Sequence, residues 1–189
     1  YIYARTEWSL SNPRGTELYT VNSLTGYLTP VFAFAADDDS FWVNGAEFSA
    51  NSEYLYLSIN QILYPPITYH TKVKQFDMSK LNNVDLFESS GVTLYHEESE
   101  NGFEQMQIGP DGKIYAAHNL GDNKHMARIN YPAKHGIACE FEKEAVELIR
   151  GNTLHGLPTF IQSYFVRFSW LGNCLGDSTH FSSWFLPEP

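Results

Sequence analysis

The stretch "QIGPDGKIYAA", residues 107–117, decides how the rest of the chain is read. Gly109, Pro110, Asp111 and Gly112 stand between two short apolar runs. Pro110 presets φ for the second position of a tight turn, Asp111 suits the third, and Gly112 accepts the positive φ that follows. The stretch predicts a β-hairpin whose tip residues have a structural role. One hairpin says little about a fold, so recurrence is what matters.

The pattern recurs. "FSANSEYLYLS" (48–58) sets Phe48 on Ile108, Ser49 on Gly109, Ala50 on Pro110 and Asn51 on Asp111. With one extra residue in this copy, Leu55-Tyr56 falls on Ile114-Tyr115. "YIY" (1–3) reads as the end of a third copy, with Tyr3, Tyr56 and Tyr115 as equivalent markers. A second element follows each copy: "TELYTVN" (16–22), "KVKQFDMS" (72–79) and "HMARINYP" (125–132). A third follows again: "YLTPVFAF" (27–34), "VTLYHEE" (92–98) and "EAVELI" (144–149). Their apolar–polar alternation is that of half-buried strands. "CEFEKEAVELIRG" also places Phe141, Ala145, Val146 and Ile149 on one helical face; strand is assigned over Ala145–Ile149. About four short strands per unit is the make-up of a propeller blade. "NQILYPPITYHT" (60–71), with Pro65-Pro66, is expected to be an extended surface loop, and "SFWVNG" (40–45) and "NLGDNK" (119–124) shorter turns. The competing architecture is a β-sandwich whose hairpins share turn chemistry.

The chain has 189 residues, 43% hydrophobic and 15% aromatic, which suits an all-β protein with a real core rather than disorder. A net charge of -10, with only 12 scattered basic residues, argues against nucleic acid as partner. No apolar run reaches the ~20 residues of a membrane helix. "YIYARTEW" opens without an initiator Met or a signal-like region and reads as the middle of a strand, as in a fragment or a processed chain.

"GAEFSANSEYLYLS", "VKQFDMS", "MQIGPDGKIYAA", "ARINYPAKHGIACEFE" and "GLPTFIQSYF" occur in that order. Across about residues 45–165 they resemble the propeller region of large Bacteroidota surface proteins exported by the type IX secretion system and associated with gliding motility. Ala50, Asn51 and Ser52 depart from the Pro-Asp-Gly turn of that pattern. "NCLGDSTHFSSWFLPEP" (173–189) is similar to the opening of a PKD module, an immunoglobulin-like sandwich. The resemblance implies a partial β-propeller over residues 1–168, with about three four-stranded blades and a closing strand. A linker and the start of a PKD/Ig-like module would follow over 169–189. It also implies an extracellular or outer-surface location. Because three units fall short of a closed ring, the expected partners are other blades or chains covering the open face, or type IX secretion and outer-membrane components.

Chemistry-bearing patterns are weak. "DDD" (37–39) lacks the ligand spacing of a calcium loop and reads as a solvated turn. Glu97, Glu98, Glu100 and Glu104 cluster in sequence, which gives no cleft geometry, and read as a charged loop between blades. The seven histidines (His70, His96, His118, His125, His135, His155 and His180) show no HExxH motif and no i,i+4 pair. His118 and His125 flank one hairpin, and their proximity reads as coincidence. Tyr1, Tyr3, Tyr54 and Tyr56 read as packing between blades rather than as sugar-stacking residues. Cys139 and Cys174 are a candidate disulfide; a bridge across their roughly 35-residue loop would contribute about 3–4 kcal/mol. Ser178 in "DST" resembles the short O-glycosylation sequon of Bacteroidota. No catalytic, cofactor or metal residue is assigned.

The sequence reading is therefore a non-catalytic surface propeller, an interaction platform or spacer in adhesion, gliding or envelope assembly. Two alternatives stay open. One is a carbohydrate-active hydrolase or lyase, which needs Glu47, Glu104, Asp111 or histidines to converge. The other is a structural subunit of an extracellular or secretion-apparatus complex.

Overall fold

The computed structural model describes residues 2–6, 16–34, 42–63, 68–99, 102–119, 124–153 and 156–157. Within them the chain is all-β apart from one short helix and two 3-10 turns. The strands are β1 (Ile2–Thr6), β2 (Thr16–Val21), β3 (Leu28–Phe34), β4 (Trp42–Phe48), β5 (Tyr54–Leu63), β6 (Thr68–Asp77), β7 (Val92–Ser99), β8 (Gly102–Ile108), β9 (Ile114–Asn119), β10 (His125–Ile129) and β11 (Phe141–Glu147). They form three antiparallel meanders: β1-β2-β3, β4-β5-β6-β7 and β8-β9-β10-β11. Among the described residues none of these sheets closes on itself.

The repeat read from the hairpins is present in the pairing register. Phe48 lies opposite Leu55, and Ile108 opposite Ile114, as the alignment requires. Both hairpins then bulge at the same place, between Val43 and Gly45 and between Phe103 and Met106. The turns are built alike: Ser52 N–H donates to Ser49 O at 2.8 Å and Gly112 N–H to Gly109 O at 3.0 Å. Ser52 takes a φ of 59° where Gly112 takes 75°, so the Ala-Asn-Ser copy accepts a left-handed residue other than glycine. Gly109 has no such freedom, because a Cβ there would lie 2.7 Å from the Tyr115 ring.

The first unit is shifted by one residue from the sequence alignment. The β2–β3 ladder bulges between Leu18 and Tyr19, and the β6–β7 ladder between Val73 and Lys74, which equates Leu18 with Val73. Tyr3 pairs with Tyr19 and Leu57 with Lys74, so Tyr3 is equivalent to Leu57 and not to Tyr56. A one-residue slip exchanges the two faces of a strand, and a recurring tyrosine alone does not set that phase.

Several boundaries also differ from expectation. Residues 60–63 and 68–71 of the supposed Pro65-Pro66 loop are paired strand, with Leu63 opposite Thr68. Only 64–67 separates β5 from β6, and Pro65-Pro66 lies outside the described residues. Trp42–Gly45, expected as turn, belongs to β4, where the bulge accommodates Asn44. Asn119 ends β9 opposite Gly102. Glu97 and Glu98 lie in β7, in line with the strand read over 92–98 and not with the charged loop read over 96–104, and Glu104, also expected on that loop, lies in β8. The strand expected over Ala145–Ile149 runs from Phe141 to Glu147, and Ile149 is exposed. The first sheet has three strands among the described residues rather than four.

The β6–β7 connection holds α1 (Val84–Ser89), which sequence reading missed. Asn83 caps it by accepting from Leu86 N–H at 3.1 Å, and Asp77 caps the preceding 3-10 turn through Ser79 N–H at 2.8 Å. The helix is too short to show a periodic stripe; its contribution is Phe87, fully buried against Phe32, Phe34 and Phe76.

The sheets pack face to face in chain order. Leu18, Phe34, Leu55, Leu57, Ile59, Phe76, Met78 and Phe87 fill the space between the first and second. Tyr56, Val73, Phe103, Met106, Ile108, Ile114, Ala116, Ala127, Ile129 and Cys139 fill that between the second and third. β5 is therefore buried on both faces, and Leu55 to Asn60 form an unbroken buried run. Tyr56 is a packing residue between sheets, with Tyr54 partly buried beside it, as expected. The side chains of Tyr1 and Tyr3 lie outside the described residues.

Candidate functional site

The face of β5 toward the third sheet carries Tyr56, Ser58 and Asn60, and such polar groups are costly to bury unless paired. Each is paired. Ser58 donates to Glu104 O at 2.6 Å and Asn60 to Phe103 O at 2.8 Å, while Thr71 donates to Asn60 Oδ1 at 2.6 Å. Glu47 accepts from Ile108 N–H and Phe48 N–H, both at 2.9 Å. β4 and β8 approach so closely that a Cβ on Gly45 would lie 2.8 Å from Met106 N and closer still to Glu104 O.

At the other end of this seam a glutamine joins two motifs far apart in sequence. Gln75, 1% exposed, donates to Tyr56 OH at 2.6 Å and to Lys134 O at 2.7 Å, and accepts from Gly136 N–H at 2.7 Å. Tyr56 OH donates onward to Pro132 O at 2.8 Å. "QFDMS" thus holds "INYPAKHGIAC", and Cys139 seals the core beneath it. Burial pushes the Tyr56 phenol well above its ordinary value and the Cys139 thiol up to about 11.

The face of the β6–β7 ladder on the side of the first sheet carries different chemistry. His70 pairs across the ladder with Glu98, and Lys72 with His96, so His96 and Glu98 are i,i+2 neighbours on one face beside His70. His70 Nε2 is 3.6 Å from Glu98 Oε1, and the His70 and His96 rings are 6.1 Å apart. One donor atom from each of the three lies within 4.8 Å of the others. The signal in the sequence was "HEE" at 96–98, but His70 joins only through the pairing register. The alternate residues, Tyr95 and Glu97, face the third sheet. Tyr95 packs on Phe103 and Phe141 and bonds Glu97, which pairs with Lys143 at 2.5 Å. Burial opposes ionisation of Glu97, but the Lys143 ammonium and Tyr95 hydroxyl outweigh it and hold the carboxyl below its usual value.

The other sequence candidates have separate fates. Asp111 is exposed and holds its own turn, accepting from Lys113 N–H at 3.2 Å and from Tyr115 OH at 2.8 Å. Ile114 is fully buried as a packing residue, whereas Tyr115 is half-buried. His118 is buried edge-on to Phe103 with its ring 3.0 Å from Lys143 O; burial lowers its pKa. Thr153 accepts from His118 N–H and donates toward His118 O and His125 O, tying the ends of β9 and β10 together. Glu47, Asp111 and His118 are thus engaged at separate places. His135 lies 6.0 Å from the Tyr54 ring. Of "GLPTFIQSYF", Gly156 and Leu157 are described, and Leu157 N–H donates to Gln105 Oε1 at 2.7 Å. Asp37–Asp39, Glu100, His155, Cys174, Ser178 and His180 lie outside the described residues, so neither the disulfide nor the glycosylation assignment falls within them. Among the described residues no helix is long and apolar enough to cross a membrane. No protein-family model matches the chain, and no curated protein matches it either.

Proposed function

We propose that the chain is part of a β-propeller serving as a non-catalytic interaction platform or spacer in a large exported surface protein. The first hairpins of the second and third meanders share one register, and these sheets stack through their first strands, β4 against β8, as neighbouring blades do. The ordered motifs that resemble the type IX-exported surface proteins support the same reading. An adhesion, gliding or envelope role follows from that resemblance.

The observation that carries the platform reading is the placing of exposed apolar side chains. The connections β2–β3, β6–β7 and β10–β11 leave equivalent strands and emerge at the same end of the stack. Leu24 and Tyr27, Leu86, and Tyr131 and Ile137 sit on these three connections; Leu24 is 94% and Ile137 89% exposed. Loops fixed by rigid sheets are where such scaffolds bind, and exposed apolar side chains on them suit a protein surface.

The test is a strain producing the full-length protein with Leu24, Tyr27 and Ile137 changed to serine. Surface exposure is measured by external protease and adhesion or spreading by cell assay. The expected result is a surface-exposed protein whose variant is still exported but loses attachment. An intracellular protein, or a variant that behaves as wild type, overturns the reading.

A further inference from the structure

We propose that His70, His96 and Glu98 form a site for a divalent transition metal of the zinc class, clamping the edge strand β7 onto β6. The donor set comes first. Two imidazoles and one carboxylate suit zinc, nickel or copper, whereas calcium and magnesium require mostly oxygen. Geometry comes second. Around a tetrahedral zinc, with bonds of about 2.0–2.2 Å, donor atoms stand about 3.3–3.5 Å apart. The His70 Nε2–Glu98 Oε1 separation is already 3.6 Å, and all three donors fit within 4.8 Å, so small side-chain rotations complete the set.

The scaffold is third. Successive same-face residues of β7 and the cross-strand partner on β6 hold three donors on a ladder whose backbone is already paired. Lys72, opposite His96, shares this face, so the ion is held by donor geometry rather than by a negative field. Three protein ligands leave a fourth position for water or for a donor from a partner. Among the described residues β7 ends its sheet, and a metal bridge to β6 would restrain that edge.

The experiment is titration of the 189-residue chain, freed of metal, with zinc chloride by calorimetry. Wild type should bind one zinc at this site, and His70→Ala, His96→Ala and Glu98→Gln should each weaken it by about tenfold or more. His135→Ala, on the β10–β11 connection, should bind as wild type. Zinc should also slow amide exchange along β7. Should an alanine variant fail to fold, X-ray absorption of zinc-loaded wild type reads the ligands directly, with two imidazoles and oxygen expected. Absence of saturable binding, equal binding by all variants, or sulfur in the shell overturns the proposal.

Discussion

Replacing Gln75 tests whether the β10–β11 connection is held onto the second sheet by one side chain. Gln75→Leu keeps much of the volume and removes three hydrogen bonds of 2.6–2.7 Å. Tyr56 OH keeps Pro132 O, and Lys134 O is near solvent, so these two losses cost about 0.5–1.5 kcal/mol each. Gly136 N–H is buried and left without its acceptor, which adds about 1–3 kcal/mol. The sum is about 2–6 kcal/mol, a large share of the ~5–15 kcal/mol that holds a domain together. Gln75→Glu preserves shape but turns the double donor into an acceptor facing Lys134 O. At neutral pH it also buries a charge, so it should destabilise more than Gln75→Leu.

The sign with pH is then determined. Burial raises the folded-state pKa of the introduced carboxyl above its unfolded value of about 4.3. Its penalty is full above the folded pKa and is relieved as pH falls toward 4.3, where the neutral acid again donates one bond. Urea unfolding at pH 7.5 and 5.5, each against wild type at the same pH, measures both effects, and amide exchange at Gly136 reports the connection itself. A Gln75→Leu loss below about 1 kcal/mol with unchanged Gly136 exchange would refute the clamp. A Gln75→Glu variant more stable than Gln75→Leu at pH 7.5 would refute the donor assignment.

Gly45→Ala should cost about 1–3 kcal/mol in urea unfolding, because its Cβ meets backbone of β8 and breaks the Ser58–Glu104 bond; a neutral result means the sheets do not approach there. His118 has a folded pKa below its ordinary 6.5, so its contribution is complete above 6.5 and is lost as pH falls through that value toward the folded pKa. His118→Gln should flatten that part of the stability–pH curve, and an unchanged slope contradicts burial of the ring. Cys139, fully buried with its pKa pushed to about 11, should resist alkylation until urea unfolds the chain; labelling of its peptide under native conditions contradicts this.

The local chemistry of the chain determined its strands and turns. Pro110-Asp111-Gly112 specifies a turn wherever it sits, and alternation in "KVKQFDMS" and "VTLYHEE" marks strands whose burial follows from period two. Hence the hairpins, their recurrence and the all-β class were legible. The phase of the first unit was not, because Tyr3 and Tyr56 look equivalent until the bulge at Leu18 assigns their faces. The helix was not legible either, since six residues cannot display a period of 3.6 and its anchor, Phe87, acts only through rings from two other sheets. The same reason hid the two clusters that matter most here. Gln75 meets Gly136 across 61 positions, and His70 meets Glu98 only because the β6–β7 ladder bulges by one residue. Short-range sterics and alternation act within a few residues and are written in the sequence. Which side chains share a face across strands depends on register and packing summed over the whole sheet, and only the tertiary structure decided that.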